Sequence, residues 1–563
     1  MNAPTPRITA RRGAQFLLLA VPLVILAERS WALRWLSDDG FIHLRVVRQL
    51  VSGNGPVWNV GERVEASTSP LWVFVLAGAD LVTPIRLEWL AVLGGMGLTI
   101  GGVALTMAGS RTLIRPDPGQ LLLPVGAALL VGLAPVWIFS SSGLEGGLVT
   151  AWMGACLWLL ATWARTASPF GAGAAVVIGL GPLIRPELGI FTVAFVAVVL
   201  VGQRCSDGWG NRARLLLCVF VLPVTYQLFR MGYYGVLVPN PAIAKEASAS
   251  YWSEGWTYLK DVLGPYWLWL PLLGLAVGAY PSLLRQLRRD GQDRGQLVVA
   301  AFVVGGLLSA LYIVRVGGDF FHARLLLPGL MALTAPVSVL PLRRAYVGAL
   351  VVLPWAVVAL LFLRGGNYDR ITAHANRVTL SDHGWGSGSP NVERYRAPGV
   401  RYHDVTLAAE PSGGRRSVLG YFGIGVAGYA LGPDVYLLDL LGLADAFTSH
   451  LEVDRRVLAG HDKPLPPPWF VARVTEPGAD VDDDDFPFPV FSIPLGDPDG
   501  QPLDERVAVA RRTLECRDLK TFLARSTAPL TPRRFVRNLI GSPAATSMRI
   551  APEPRDAARQ LCD

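Results

Sequence analysis

The chain has 563 residues, of which 52% are hydrophobic and 17% are charged, and its mean hydropathy is +0.39. This composition excludes an ordinary soluble enzyme. The formal net charge of +8 does not indicate nucleic-acid binding, because the arginines stand in short clusters between apolar runs long enough to cross a membrane. We therefore expect a membrane protein surrounded by lipids, without a nucleic-acid partner.

The apolar runs and the basic loops between them predict the topology. A span requires about 20 mostly apolar residues, and Lys and Arg concentrate in cytoplasmic loops. The first apolar run, from about Phe16 to Ala32, has no small-residue cleavage site after it, so we expect a retained span. The stretch 69–82 is apolar but short, and we expect a surface-lying or half-buried helix there. With that choice, Arg-rich turns alternate with Arg-poor outward loops.

Eleven spans satisfy this alternation. They are predicted near residues 14–35, 87–109, 119–139, 145–163, 170–184, 187–202, 214–232, 263–283, 296–314, 325–341 and 345–364. Residues 1–364 would form a transmembrane domain. Residues 365–563 contain no further apolar run of spanning length, and they would form an exported domain that is a candidate for carbohydrate binding. Short strand-like stretches in this tail, such as 417–422 and 435–438, predict a mixed or β-rich fold. Cys516 and Cys562 also lie there, and the expectations are a disulfide or two inert thiols.

The strongest chemical signal follows the first span directly. Asp38 and Asp39 are adjacent carboxylates in Ser37-Asp38-Asp39-Gly40, and the apolar residues after them have the spacing of a surface helix. One aspartate would serve as the cap of that helix, but one cap requires only one side chain. A carboxylate pair at the membrane boundary can deprotonate a hydroxyl, stabilise an oxocarbenium-like transition state or act as a nucleophile. We predict that both aspartates are catalytic.

Further polar residues recur in the outward loops, where membrane topology gives them no role. The candidates for binding a donor phosphate are Lys245, Arg315, His322 and Arg324, and the candidates for binding other parts of the substrates are Glu65, Glu145, Arg185, Glu187, Asn240 and Asp319. Arginine, lysine and protonated histidine have the donors that phosphate oxygens require. Ion pairs that only stabilise a helix bundle are the alternative for all of these residues.

Several strings resemble one enzyme family. They are SDDGFIHLRVVRQLVSGNGP, GERVEASTSPLW, TPIRLEWLAVLGG, SSGLE, VPNPAIAKEAS, GGDFFHARLLLP and GYFGIGVAGYALGPDVYLLDLLGLAD. They look like the terminal β-(1→2) arabinofuranosyltransferases of mycolate-bearing actinobacterial envelopes, which belong to the GT-C superfamily of glycosyltransferases. The resemblance implies a GT-C type fold, a decaprenyl-phosphoryl-arabinose donor and an arabinan acceptor in arabinogalactan and lipoarabinomannan. It also implies that the catalytic aspartate pair of the family is Asp38 and Asp39, on the extracytoplasmic side of the cell membrane.

The resemblance leaves cofactor and mechanism open. Many GT-C enzymes use a divalent cation near such acids, but paired carboxylates do not establish a metal. A double displacement would require one aspartate as nucleophile, whereas a front-side route would require only charge stabilisation. The competing functions are another transferase of polyprenyl-phosphate sugars, a lipid-linked-sugar transporter and a non-enzymatic glycan-binding scaffold. A transporter should have inverted repeats and charges near mid-span, which the sequence lacks.

Overall fold

The computed structural model describes residues 6–166, 168–203, 208–362, 418–421, 423–453, 460–474 and 502–562. These residues are mostly helical, and their contacts divide into two compact units. The first unit consists of the described residues within Met1–Gly40, Ser69–Thr225 and Ser250–Arg394. The second unit consists of the described residues within Phe41–Thr68, Tyr226–Ala249 and Tyr395–Asp563. The second unit therefore includes two segments that the predicted boundary at residue 364 assigned to the membrane part.

Eighteen α-helices are described up to residue 362. They are α1 (Pro6–Ala32), α2 (Asp38–Val51), α3 (Pro70–Val82), α4 (Leu87–Ile114), α5 (Val125–Gly132), α6 (Ala134–Phe139), α7 (Gly146–Ala164), α8 (Ala172–Gly179), α9 (Gly181–Ile184), α10 (Gly189–Gly202), α11 (Gly208–Tyr233), α12 (Asn240–Ala244), α13 (Trp252–Leu263), α14 (Trp269–Gly274), α15 (Tyr280–Arg289), α16 (Asp293–Arg315), α17 (Leu327–Thr334) and α18 (Leu342–Phe362). A π-helical turn, Leu275–Ala279, joins α14 to α15, and short strands β1 (Leu122–Leu123) and β2 (Leu340–Pro341) pair antiparallel.

Five of the described helices are long and apolar enough to cross a membrane. They are Gly13–Ala32 within α1, and α4, α7, α11 and α16. Further apolar helices of 10–17 residues, among them Tyr346–Phe362, are shorter. The chain is thus a polytopic α-helical membrane protein, and the count of eleven spans stays a prediction. Helix α3, with 13 residues, buries Trp72 and Leu76 and exposes Leu81, as expected for a half-buried helix.

Helices α4 and α7 pack closely against each other in the first unit. Gly95, Gly102 and Gly109 recur every seven residues in α4, and Gly147 and Gly154 do so in α7. A Cβ at Gly102 would lie only 2.5 Å from the backbone carbonyl of Thr150 in α7. Small residues at such positions let two helices approach closely in a membrane, where burial of apolar surface gives no drive for association. The pair fixes the start of α7, where Glu145 stands.

In the tail, two short strands and several helices are described. Strands β3 (Val418–Tyr421) and β4 (Tyr436–Asp439) pair in parallel on either side of α19 (Ile424–Leu431), which confirms the two predicted strands. The remaining helices are α20 (Pro467–Val474), α21 (Leu503–Leu514), α22 (Arg517–Thr527), α23 (Pro532–Ser547) and α24 (Pro554–Leu561). The predicted β-rich fold is therefore wrong for the described part of the tail, whereas a mixed fold agrees with it.

The helical tail follows from the spacing of its apolar residues. Val507 and Ala510 in α21, and Leu519 and Phe522 in α22, are buried at three-residue intervals, which match a helix and not a strand. The Cys516–Cys562 disulfide joins the start of α22 to the end of α24, so that of the two expectations for these cysteines the structure has the disulfide. This bond closes a chain separation of 46 residues.

Candidate active site

The acidic pair lies at the start of α2. Asp38 and Asp39 are its first two residues, and both are half-buried. The Ser37 hydroxyl accepts a hydrogen bond from the Gly40 amide at 2.9 Å, so that Ser37 has the contact expected of a helix cap. The cap role that the sequence left open for an aspartate is therefore filled by serine.

The acidic motif is fixed to the segment that precedes α7. The Ser37 amide and hydroxyl both donate to the Ser142 carbonyl, at 2.9 and 3.0 Å. Gly40 passes so close to this segment that a Cβ would lie 2.6 Å from the Ser142 oxygen. Because any larger residue at position 40 would displace this contact, glycine is required there. The two strings SDDG and SSGLE thus pack together in one place.

A third segment, 315–324, joins them through aromatic packing. The ring of Phe321 lies 5.6 Å from that of Phe139 and 6.3 Å from that of Trp35, both in edge arrangements. The Trp35 indole also donates to the Ile138 carbonyl at 2.8 Å. Buried aromatic pairs of this geometry add stability beyond the area that they bury. They hold the three segments together in the first unit.

Arg324 connects this segment to the acidic pair. Its Nη1 lies 3.3 Å from Asp39 Oδ2, and its Nη2 lies 2.5 Å from Asp319 Oδ2. The Asp319 side chain is 1% exposed, and that of Arg324 is 11% exposed. A buried carboxylate requires a partner of opposite charge, and Arg324 provides it. One guanidinium therefore holds two carboxylates, one of which belongs to the predicted catalytic pair.

Tyr258 supports this loop and was not found from the sequence. Its hydroxyl donates to the Phe321 carbonyl at 2.9 Å and accepts from the Leu325 amide at 3.2 Å. Gly318, with a φ of +72°, lies against the Tyr258 ring, where a side chain would collide. A single tyrosine in an amphipathic helix gives no signal that would have identified it.

A second charged group surrounds Arg185, which stands at the break between α9 and the 3₁₀ turn Pro186–Leu188. Its guanidinium donates to the carboxylates of both Glu145 and Glu187. Glu145 is only 3% exposed. The predicted candidates Glu145, Arg185 and Glu187, which are far apart in sequence, thus form one ion-paired triad.

Both charged groups meet at one cavity. Its polar lining includes Glu145, Arg185, Glu187 and Arg324, and its apolar lining includes Phe139, Leu144, Val149, Leu325, Leu327 and Met331. A pocket with mainly apolar walls and a few convergent charges is the usual form of a ligand site. Asp39 and Asp319 are joined to the lining through Arg324. This cavity with its ion pairs is our candidate active site.

The described contacts do not place His322 and Arg315 in the cavity lining. His322 is 2% exposed and stacks on the Tyr266 ring at 5.7 Å. Burial lowers the pKa of His322 to about 4, so its imidazole is neutral at pH 7. The predicted cationic contact with phosphate is therefore not supported for this histidine. Arg315 donates from Nε to Ser250 Oγ at 3.1 Å.

Three predicted residues belong to the second unit. Glu65 accepts hydrogen bonds from Arg230 at 2.6 Å and from Tyr226 at 2.7 Å. Asn240 is 3% exposed, and its amide donates to the Gly442 carbonyl at 2.8 Å. These internal bonds explain the burial of Glu65 and Asn240, so we leave both outside the candidate site. Lys245 ends α12 in the same unit. Their roles in substrate binding stay predictions.

The candidate site is not assigned a metal. Within the described ranges, no group of three or more His, Cys, Asp or Glu side chains has the arrangement to hold a metal ion. The carboxylates Asp39 and Asp319 already share the positive charge of Arg324.

Two curated relatives, both named terminal β-(1→2)-arabinofuranosyltransferase, align with the chain. The protein of Mycobacterium tuberculosis is 33% identical over 629 aligned positions, which cover 97% of this chain and 96% of that protein. The chain belongs to this family. It is therefore a glycosyltransferase, as the resemblance of its motifs predicted. The relative from Corynebacterium glutamicum is 36% identical over 417 positions, which cover 66% of this chain and 60% of that protein.

Other comparisons add little. No protein-family model matches the chain. Among solved structures, ArnT from Cupriavidus metallidurans bound to undecaprenyl phosphate is similar with a TM-score of 0.42 and 15% identity, over 76% of this chain and 86% of that chain. A likeness of this size carries no conclusion about the fold or the ligands of the present chain.

The triad around Arg185 leads to a first prediction. Exchange of Arg185 for glutamine leaves two largely buried carboxylates without their shared cation, and we expect a loss of about 3 kcal/mol in stability and at least about a tenfold loss of transferase rate. Glu145→Gln should lower the stability and the transferase rate less, because Arg185 retains its ion pair with Glu187. Initial rates and thermal unfolding in detergent measure both effects. Arg111→Gln, on an exposed part of α4, is the control, and wild-type behaviour of Arg185→Gln would contradict the assignment.

Proposed function

We propose that the chain transfers D-arabinofuranose from decaprenyl-phosphoryl-arabinose to the non-reducing ends of arabinan in arabinogalactan and lipoarabinomannan, forming terminal β-(1→2) linkages. Membership of the family supports the sugar and the linkage. The observation that carries the proposal is the ion pair between Asp39 and the cavity-lining residue Arg324. It joins Asp39 to a pocket in which charged side chains converge between apolar walls.

Arg324 is proposed to bind the phosphate of the donor. The glycosidic bond breaks with the phosphate as leaving group, so negative charge develops on its oxygens while positive charge develops at the sugar ring. A guanidinium presents several donors in one plane and can contact a carboxylate and a phosphate at the same time. Arg324 would thus stabilise the leaving group without moving away from Asp39. A phosphate that leaves with this stabilisation requires no strong acid.

The aspartates are proposed to face the anomeric carbon and the acceptor hydroxyl. In that position a carboxylate can take the proton of the hydroxyl as the new bond forms, and it can stabilise the positive sugar ring. With a β-linked donor and a β-linked product, as the resemblance implies, configuration would be retained. Double displacement at one aspartate and front-side attack both satisfy this requirement.

The site is proposed to lie on the extracytoplasmic side of the cell membrane. The alternation of basic and Arg-poor loops supports this orientation, since it directs the loops that contain Asp39, Glu145, Arg185 and Arg324 outward. We also propose that the tail, residues 365–563, is exported and binds the glycan acceptor. An exported tail agrees with the Cys516–Cys562 disulfide, because such bonds persist outside the reducing cytosol.

A reconstituted assay tests this function. The purified chain is incubated with decaprenyl-phosphoryl-arabinose and an arabinan acceptor, and the new linkage is determined by NMR of the product. We expect β-(1→2)-linked terminal arabinofuranose. The matched control replaces the donor with a decaprenyl phosphate that carries another pentose. Faster transfer of that pentose, or a different linkage, would favour another polyprenyl-phosphate-sugar transferase and contradict the proposal.

A further inference from the structure

Helix α23 exposes apolar side chains on a basic face. Val536 is 54% exposed and Ile540 is 72% exposed, and they stand four residues apart on the same side of the helix. Arg533 and Arg537 are exposed as well, and the helical repeat places them beside this pair. Valine and isoleucine among arginines on one exposed face are typical of helices that lie in a membrane interface.

The opposite face of α23 packs on the last turn of α11, within the second unit. The Phe535 ring lies against Gly232, where a Cβ would collide with it. The Asn538 amide donates to the Gly232 carbonyl at 3.1 Å and is buried. Helix α11 is one of the helices long and apolar enough to span a membrane, and Leu228, one turn before Gly232, is 47% exposed. Helix α23 is therefore attached to the end of a span, where a bilayer meets water.

The charge of α23 indicates which surface it contacts. Its sequence PRRFVRNLIGSPAATS contains three arginines and no acidic residue. Arginine side chains beside an apolar patch can reach phosphate groups while their aliphatic stems lie along the lipid chains. If the exposed face of α23 bound a second protein or a glycan, it would have no reason to lie at the end of a membrane-spanning helix such as α11. The headgroup region of the surrounding membrane can contact both the exposed apolar side chains and the arginines of α23.

We propose that α23 lies in the headgroup region of the membrane that α11 spans. Val536 and Ile540 insert among the lipid chains, and Arg533 and Arg537 bind anionic lipid phosphates. This contact holds the second unit on the membrane surface. This membrane contact does not depend on which sugar is transferred, so its test is independent of the proposed function.

The test measures the depth of single fluorescent probes in the full-length chain. Cys156, Cys205 and Cys218 are replaced by alanine, and the Cys516–Cys562 disulfide is kept. The probe is attached to V536C, I540C or, as a control, K520C, since Lys520 is 65% exposed on α22. Each protein is reconstituted in vesicles of phosphatidylcholine and phosphatidylglycerol that contain a lipid spin-labelled near its headgroup. Thermal unfolding of each labelled protein, compared with that of the unlabelled protein, confirms that it is folded.

We expect quenching at positions 536 and 540 to exceed that at position 520 at least about twofold. The pair of substitutions R533E and R537E should lower this quenching toward the value at position 520, and so should omission of phosphatidylglycerol. Equal quenching at all three positions would overturn the proposal. Loss of the quenching on addition of soluble arabinan would also overturn it, because the face would then be a glycan site. Strong quenching that does not respond to charge would overturn the phosphate contacts.

Discussion

Exchange of Asp39 for asparagine is expected to lower the rate of arabinofuranose transfer at least about 100-fold. The substitution nearly preserves the shape of the side chain but removes its charge, and with it the ion pair to Arg324 at 3.3 Å. The start of α2 should stay intact, because Ser37 caps it and not an aspartate. Initial rates at saturating donor and acceptor, compared with Asp38→Asn, measure which carboxylate contributes more to the chemical step.

The matched control for both variants is Asp117→Asn. Asp117 is an exposed acid in the loop after α4, and its exchange changes the net charge by the same amount. We expect it to keep the wild-type rate. A wild-type rate in both Asp38→Asn and Asp39→Asn would remove the acidic pair from the mechanism. A loss of rate together with a fall in the unfolding temperature would assign the aspartates to folding.

The second large effect is expected at Arg324. Exchange for glutamine removes the ion pair with Asp319, whose side chain is 1% exposed, and it removes the group proposed to stabilise the leaving phosphate. We expect a loss of about 3 kcal/mol in stability and at least about a 100-fold loss in kcat. Arg324→Lys should recover part of the rate, since lysine keeps the charge but lacks the planar fork that contacts two acids.

A double variant separates the two roles of Arg324. In Arg324→Gln with Asp319→Asn, position 319 no longer has a buried charge that depends on Arg324, so the unfolding temperature should return toward the wild-type value. The rate of transfer should stay low, because the phosphate still lacks its guanidinium. Thermal unfolding together with kcat and KM for the donor measures both. Recovery of the rate along with stability would show that Arg324 acts only on the fold.

The components of the candidate site could be predicted because charged residues are costly beside an apolar bilayer and therefore stand out in such a sequence. Glu145, Arg185 and Arg324 were identified in this way, and the structure brings them to one cavity. The pairing between them could not be predicted, since residues 145 and 185 meet only through tertiary packing. The burial of individual side chains could not be predicted either. His322 was therefore expected to be positively charged, whereas its burial lowers its pKa and favours the neutral imidazole.

The fold was predictable to a similar extent. Long apolar helices such as α4 and α16 follow from composition and length. The π-helical turn Leu275–Ala279 interrupts a region predicted as one continuous span, and nothing in the local hydropathy indicates it. The grouping of Phe41–Thr68 with the tail in one unit was also missed, because it depends on contacts between distant parts of the chain.

The ion pairs described for the candidate site have a consequence for turnover. Two guanidinium groups, those of Arg185 and Arg324, contact four carboxylates, those of Asp39, Glu145, Glu187 and Asp319. The proposed donor is a phosphate diester with one negative charge, and its cleavage would leave a phosphate monoester with a higher charge. These carboxylates would repel that product more strongly than the donor. Asp39, which is proposed to take part in bond formation, would thereby also promote departure of the spent lipid, so we expect weak product inhibition.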